Sequence, residues 1–332
     1  MRKATIRSTG SYAPEQVIPN SYFNEQLQED VDTWLRENLN IRERRWCYDH
    51  ESVADLCERA SRQALERADL TPENIDLIIV ATDTPEFISP STASVLQHRL
   101  QALNAGTFDI NTACAGFVTA LDVAARYIMT DDRYRQVLVV GGYTMSKHLN
   151  HADKKTVTLF ADGAGAVILS SEAAEPGKAK GFLTGSLRTR GEYHSWMGIY
   201  GGGTRQPVNE EVLAKNDHKL KFVRRFPKEI NPAVWSKMIL ESCDYLQITP
   251  NQVDHFLFTQ LNYNLIHETL NRLNQPHHKA HTIMQRYGYT GSACIPMALH
   301  DAVEKSLIQR GDLLFLIGSG GGLAFACAAI RY

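Results

Sequence analysis

The chain has 332 residues and a formal net charge of −2. That is enough length for one large or two ordinary domains, with no global field to draw nucleic acid or a membrane surface. Hydrophobic residues make up 43% and charged residues 22%, the balance of a chain that buries an ordinary globular core. No apolar run approaches a membrane span, the first residues lead into no signal-peptide core, and the six cysteines form no CxxC pair. A reduced, cytoplasmic protein without a structural zinc site is therefore expected, with His277, His278 and His281 read as a solvated loop rather than a metal site.

Residues 1–12 read as a strand entering a turn, and 20–43 as a helix ending in Asn40-Ile-Arg-Glu-Arg44. Over 52–68 the stripe Val53, Leu56, Cys57, Ala60, Ala64, Leu65 has helical spacing. A turn at 70–76 leads into Leu77-Ile-Ile-Val-Ala81, an unbroken apolar run of the kind found in strands buried on both faces. A helix is predicted over 91–103, then a short strand ending near 110. Phe117, Leu121, Ala124 and Ile128 share one face of the next helix, and Val137-Leu-Val-Val140 before Gly141-Gly142 forms another buried strand. Residues 143–156 look polar and loop-like, 161–169 form a glycine-punctuated strand, and Pro176-Gly177 closes the half. The region 185–230 is the least regular. It carries Gly201-Gly-Gly203 and a basic run of Lys215, Lys219, Lys221, Arg224, Arg225 and Lys228.

The pattern then returns. After a helix at 233–246, Ile248-Thr-Pro-Asn-Gln-Val-Asp254 repeats Leu70-Thr-Pro-Glu-Asn-Ile-Asp76 at an offset of 178 residues. Strand His255-Phe-Leu-Phe258 answers 77–81, Thr290-Gly-Ser-Ala-Cys294 answers Thr112-Ala-Cys-Ala-Gly116, and 313–322 answers 137–142. The final strand, 323–330, answers 164–169. This is a duplication of about 170 residues, and a repeat settles architecture before any local detail. Two alternating strand–helix halves, 1–175 and 176–332, predict an α/β fold of two mixed sheets, with helices between and outside them and a shared site at their junction.

Cys114 is the candidate nucleophile of that site. It lies where an apolar strand gives way to a helix, among small neighbours Ala113, Ala115 and Gly116, with Asn111 or Thr112 as the expected N-cap. A thiol there meets unpaired N–H groups and the positive helix end, which favour the thiolate. Against this stands the common role of free cysteine as a small buried hydrophobe, which is the reading for Cys47, Cys57, Cys243, Cys294 and Cys327.

Five motifs together resemble the β-ketoacyl-acyl-carrier-protein synthase III family of thiolase-fold condensing enzymes. They are Asn40-Ile-Arg-Glu-Arg44, Thr112-Ala-Cys-Ala-Gly-Phe117, Phe160-Ala-Asp-Gly-Ala-Gly-Ala166, Tyr287-Gly-Tyr-Thr-Gly-Ser-Ala293 and Gly318-Ser-Gly-Gly-Gly322. The resemblance implies a thiolase-like five-layered αβαβα homodimer. In it Cys114 takes an acyl group from acyl-CoA or acyl carrier protein, and the N–H groups of Cys114 and Gly321 form the oxyanion hole. It further implies that Trp34 stacks on the CoA adenine, that Lys154 lies against the same nucleotide, and that Phe87 sits at the dimer contact. CoA thioester enters as substrate, and no cofactor is implied. The family's catalytic histidine lies in Pro-His-Gln-Ala-Asn, which here reads Phe258-Thr259-Gln260-Leu261-Asn262; its asparagine, between Tyr-Gly and Thr, is here Tyr289. Threonine cannot act as a base near neutral pH and tyrosine titrates near 10, so neither replaces imidazole. His255 lies about 13 Å back along its strand, and His267, His148 and His151 have no evident route to the sulfur. The sequence thus points to an acyltransferase that either condenses its acyl group with a malonyl-type thioester or passes it to another acceptor or water. The alternative is a catalytically silent partner subunit. The basic run is a candidate dock for an acidic carrier protein, or simply a solvated face.

Overall fold

The computed structural model describes residues 2–174 and 180–332; the Pro176-Gly177 turn and the boundary expected between 175 and 176 lie outside the described residues. The strands are β1 (Arg2–Tyr12), β2 (Gln16–Pro19), β3 (Glu43–Trp46), β4 (Leu77–Ala81), β5 (Gly106–Ile110), β6 (Gln136–Thr144), β7 (Asp162–Ala173), β8 (Gly181–Thr189), β9 (Met197–Gly198), β10 (Lys221–Phe222), β11 (His255–Phe258), β12 (Leu313–Gly320) and β13 (Ala324–Arg331). The helices are α1 (Asn20–Leu27), α2 (Asp32–Leu39), α3 (Val53–Ala68), α4 (Thr92–Leu100), α5 (Gly116–Thr130), α6 (Lys154–Val157), α7 (Glu210–Ala214), α8 (Ile230–Leu246), α9 (Tyr263–Arg272), α10 (Met284–Tyr287) and α11 (Cys294–Glu304).

The duplication is visible in the sheets. One runs β1-β7-β6-β4-β5 and the other β8-β13-β12-β11. In each, the strand after the Thr-Pro turn pairs in parallel with the next long strand (β4 with β6, β11 with β12), and two further pairings are antiparallel; the first sheet adds a parallel β4–β5 pair at its edge. Even the turns repeat: Thr71 with Asn74, and Thr249 with Gln252, form the same reciprocal capping box around Pro72 and Pro250. In that box each partner supplies the hydrogen bond the other's backbone lacks, and Pro tolerates a first-turn position where no N–H is needed. Among the described residues the second half has no strand equal to β5, only a parallel bridge between Phe256 and Ala280.

Helices α5 and α11 fill the middle layer. α5 packs on β1, β4 and β6 of one sheet and on β8, β12 and β13 of the other, while α11 lies on β1 and β7. With α3 and α4 outside the first sheet and α8 and α9 outside the second, the layers are αβαβα. Alternation along β4 feeds both sides: Leu77, Ile79 and Ala81 join the central core, Ile78 and Val80 the outer one. Full burial of such side chains stabilises by about 1.5–3 kcal/mol each. The glycines of β7 are explained by α11: a Cβ on Gly165 would fall 2.7 Å from Met297 N, so the helix lies flush on the sheet only over glycine. Ala113–Thr130 is apolar and long enough to pass for a membrane span, yet 72% of it is buried in the fold, because it is the helix sandwiched between sheets.

Two expectations need correction. The stretch 20–43 is not one helix: Gln28 and Asn40 adopt left-handed conformations that end α1 and α2, and Glu43–Trp46 pairs with β2. That strand carries the Arg44 guanidinium inward, where it bonds Thr158 O (2.6 Å), Asn20 Oδ1 (2.8 Å) and Ile18 O (3.1 Å). Nor is 143–156 all loop, since Tyr143 and Thr144 extend β6 before a short 3-10 turn and α6.

Candidate active site

The site forms at the C-terminal ends of β4, β5 and β6. Beyond β5 the chain folds tightly: Ala113 N–H donates to Asn111 Oδ1 (3.1 Å), Ala115 N–H to Thr112 O (3.1 Å) and Gly116 N–H to Ala113 O (2.8 Å). Ala113 is left-handed, with φ of 46°. Cys114 therefore sits in a turn two residues ahead of α5 rather than on its first residue, and Asn111 caps the turn, not the helix. The second half presses directly on this turn. A Cβ on Gly320 would stand 2.4 Å from Cys114 N and 2.8 Å from the Ala113 methyl, so glycine is required there. Gly321 follows, and neither its N–H nor that of Cys114 has an acceptor among the described residues. That freedom is what an oxyanion hole needs.

Cys114 is 3% exposed. Burial pushes its thiol well above the ordinary value, the Asp83 carboxyl adds to the rise, and a hydrogen bond from the Tyr289 phenol opposes it. The expected preference for thiolate at the helix N-terminus is thus outweighed, because the sulfur lies between two packed halves, out of water. Tyr289 is held firmly. Its N–H donates to Leu159 O (2.9 Å), its carbonyl accepts from Ala161 N–H (2.9 Å), and its ring lies 5.3 Å from that of Phe160. Arg44, through Thr158, and Asp162, which accepts from Cys47 N–H (2.7 Å) and Ser146 N–H (2.9 Å), brace the same segment. These bonds give the Asn40–Arg44 and Phe160–Ala166 motifs a physical role: they position Tyr289.

Thr259 is placed differently from Tyr289. It is 2% exposed; its hydroxyl accepts from Ser319 N–H (2.8 Å) and donates to Ser319 O (3.3 Å). It clamps the end of β11 to β12, which ends at Gly320 just before Gly321, and its hydroxyl is already committed to main chain. The histidines also stay apart: His255 meets Asp312 (3.5 Å), His267 stacks on His277, His151 packs on Trp46, and His281 pairs with Asp301 (2.6 Å). No group of three possible metal ligands occurs among the described residues.

Trp34 lies on α2 with 54% exposure; Thr33, Arg36 and Glu37 of the same helix, with Asn40 and Arg42 after it, line a surface groove of about 330 Å³ that Trp34 does not line. Lys154, at the start of α6, is held by both oxygens of Glu29 (2.8 and 2.7 Å) in the loop leading to α2. Phe87 and Ile88 are exposed. Within the basic run, Lys215 and Lys221 pair with Glu211 and Asp217; Arg224, Arg225 and Lys228 remain exposed.

Asp83 and Tyr143 escaped the sequence reading although both border the sulfur. The signal was available: Asp83 lies two residues past β4 and Tyr143 near the C-terminal end of β6, and parallel strands place their ligands at carboxyl ends.

Two family models for 3-oxoacyl-[acyl-carrier-protein] synthase III match the chain: the N-terminal one over residues 108–191 and the C-terminal one over 243–332. The β-ketoacyl-[acyl-carrier-protein] synthase III of Caldanaerobacter subterraneus subsp. tengcongensis is 35% identical over 329 residues, covering 99% of this chain and 98% of its own. That of Alkalilimnicola ehrlichii is 36% identical over the whole of both. The crystal structure of the Aquifex aeolicus synthase III superposes with a TM-score of 0.88 at 30% identity, covering 99% and 100% of the two chains. The priming β-ketosynthase of the R1128 polyketide pathway gives 0.90 at 26%, covering 99% and 96%. Full-length identity and a shared fold lead to one conclusion: the chain belongs to the β-ketoacyl-acyl-carrier-protein synthase III family and is a thiolase-fold acyltransferase.

Proposed function

We propose that Cys114 accepts an acyl group from acyl-CoA or an acyl carrier protein and condenses it with a malonyl-type thioester, in fatty acid or polyketide-like biosynthesis. The observation carrying this reading is the convergence of both halves on one sulfur: the Cys114 turn from the first, Tyr289 and the Gly320-Gly321 turn from the second. The sulfur attacks the thioester carbonyl, and the free N–H groups of Cys114 and Gly321 receive the oxyanion. Trp34 and the groove lined by the same helix offer the nucleotide a face, and Lys154 joins it by leaving Glu29. Arg224, Arg225 and Lys228 form the patch for an acidic carrier protein. The exposed pair Phe87 and Ile88 supports a homodimer contact, and the reduced cysteines support a cytoplasmic setting.

A second reading has its own support. Thr259 is tied to Ser319 and Tyr289 faces the sulfur, so no imidazole–amide pair is available to hold a malonyl enolate. This favours transfer of the acyl group to another acceptor or to water. Intact-protein mass spectrometry with a panel of acyl-CoAs, using Cys114→Ala as control, tests acylation. Discharge of the acyl-enzyme by labelled malonyl thioester with release of labelled carbon dioxide supports condensation; discharge by water or amines alone supports transfer. No acylation by any CoA or carrier thioester would overturn both.

A further inference from the structure

Between β8 and α8 the chain makes its long irregular excursion, and one short ribbon of it returns to the sulfur. Strands β9 and β10 pair antiparallel with Met197 opposite Phe222, so the two side chains share a face of the ribbon. Main chain fixes that ribbon: Val223 N–H donates to Trp196 O (2.8 Å), and Leu220 N–H donates to His148 O (2.8 Å) in the first half. The shared face is turned to the site. A Cβ on Gly321 would stand 3.7 Å from Met197 Cε and 4.0 Å from the Ala113 methyl. The thioether end is therefore a neighbour of the oxyanion-hole glycine, as is the residue before Cys114. Phe222 closes the other side, its ring 6.2 Å from that of Phe160, which lies 5.3 Å from Tyr289. Met197 and Phe222 are only partly buried yet pack on the central core, as side chains lining an entrance do.

We propose that Met197 sets the acyl length this site accepts, admitting short unbranched acyl groups and excluding longer ones. The inference rests on the acylation reading above. An acyl oxygen held by the Gly321 N–H at about 2.9 Å leaves the acyl carbon about 4 Å from that nitrogen, so the chain attached to it begins beside the Met197 thioether. Cys114 is 3% exposed, and the chain has to find its room among these side chains. With the ribbon backbone bonded on both strands, that room changes with the Met197 side chain. Methionine suits the task. It is unbranched, with three rotatable bonds and a polarisable sulfur, so it shifts to fit a chain of a few carbons without moving the backbone. A longer chain would have to displace it from Gly321 and lose that packing.

The test measures Cys114 acylation by intact-protein mass spectrometry with acetyl-, butyryl-, hexanoyl- and octanoyl-CoA, in the full-length protein. Met197→Ala leaves room for about three methylenes, and at about fourfold per methylene the hexanoyl-to-acetyl rate ratio should rise roughly 60-fold. Met197→Phe, which fills the same space with a rigid ring, should lower that ratio about tenfold or more. Either variant reads the filter if the other misfolds. A ratio unchanged from wild type in a well-folded variant overturns the proposal, whatever happens to the absolute rates. A second arm needs no acyl transfer: alkylation of Cys114 by iodoacetamide and by its N-octyl derivative, resolved from the other cysteines by peptide mass mapping. Met197→Ala should raise the octyl-to-parent ratio, and an unchanged ratio there counts equally against the proposal. A wild type that no acyl thioester acylates, with the alkylation ratio rising in Met197→Ala, would sink the functional reading and leave the length filter standing.

Discussion

Replacing Thr259 by Val separates structure from chemistry at the position where the family carries its histidine. Valine matches threonine in shape and deletes only the hydroxyl, which accepts from Ser319 N–H at 2.8 Å and donates to Ser319 O at 3.3 Å. Both groups are buried, so the loss strands a main-chain N–H and removes a partner from its carbonyl, at about 1–3 kcal/mol. At roughly 2 °C per kcal/mol for a chain of this length, the melting temperature should fall by about 2–6 °C. Gly320 ends β12 and Gly321 follows it, so the slackened clamp should also lower the acylation rate. Complete loss of an oxyanion donor would be worth about 10²–10³-fold, and a displaced one on the order of tenfold. Thr259→Ser keeps the hydroxyl and should restore both quantities. Calorimetry and acyl-enzyme formation by mass spectrometry measure the pair. A Thr259→Val protein with unchanged melting temperature but abolished acylation would refute the clamp and place Thr259 in the chemistry; unchanged values of both would remove it from either role.

Tyr289→Phe deletes the donor that steadies the Cys114 sulfur; a bond to a charged partner is worth about 1.5–3 kcal/mol, so alkylation of Cys114 at pH 8 should slow by about ten- to a hundredfold. Gly320→Ala should destabilise the Cys114 turn by about 3 kcal/mol or more, whereas Gly321→Ala, whose nearest neighbour would lie 3.7 Å away, should fold normally; comparison of their denaturation midpoints checks this. Asp83 has a folded-state pKa of about 6, above its ordinary 3.8. Its contribution is therefore fully present below about pH 4 and lost as pH rises through 6, by at most about 3 kcal/mol. Asp83→Asn should accordingly flatten the fall in urea stability between pH 4.5 and 8. Arg44→Met should cost about 3–5 kcal/mol, because it leaves Thr158 O, Ile18 O and the Asn20 amide oxygen unpaired in the core; an unchanged urea midpoint would contradict the bracing role given to Arg44.

The sequence by itself determined the architecture. The Thr-Pro turns at 71–72 and 249–250, the apolar strands after them and the small-residue helix starts at Cys114 and Cys294 are local patterns, repeated at one offset. Local patterns translate directly into element type, burial and order. Cys114 was equally legible, since its turn and its helix are neighbours in the chain. The break between α1 and α2 was not, because Gln28 and Asn40 carry no glycine to announce a left-handed end. What the tertiary structure decided is the chemistry around the sulfur. Alignment in sequence placed Thr259 and Tyr289 together as stand-ins for a catalytic pair. The fold sets Thr259 against Ser319, 60 positions away, and turns Tyr289 to the sulfur. It also brings Asp83, just past the end of an unremarkable strand, near enough for its charge to raise both the Cys114 thiol and the Tyr143 phenol. Strand register and the meeting of two sheets create those neighbours, and burial then sets their protonation. Both are properties of residues far apart in sequence, which no local spacing encodes.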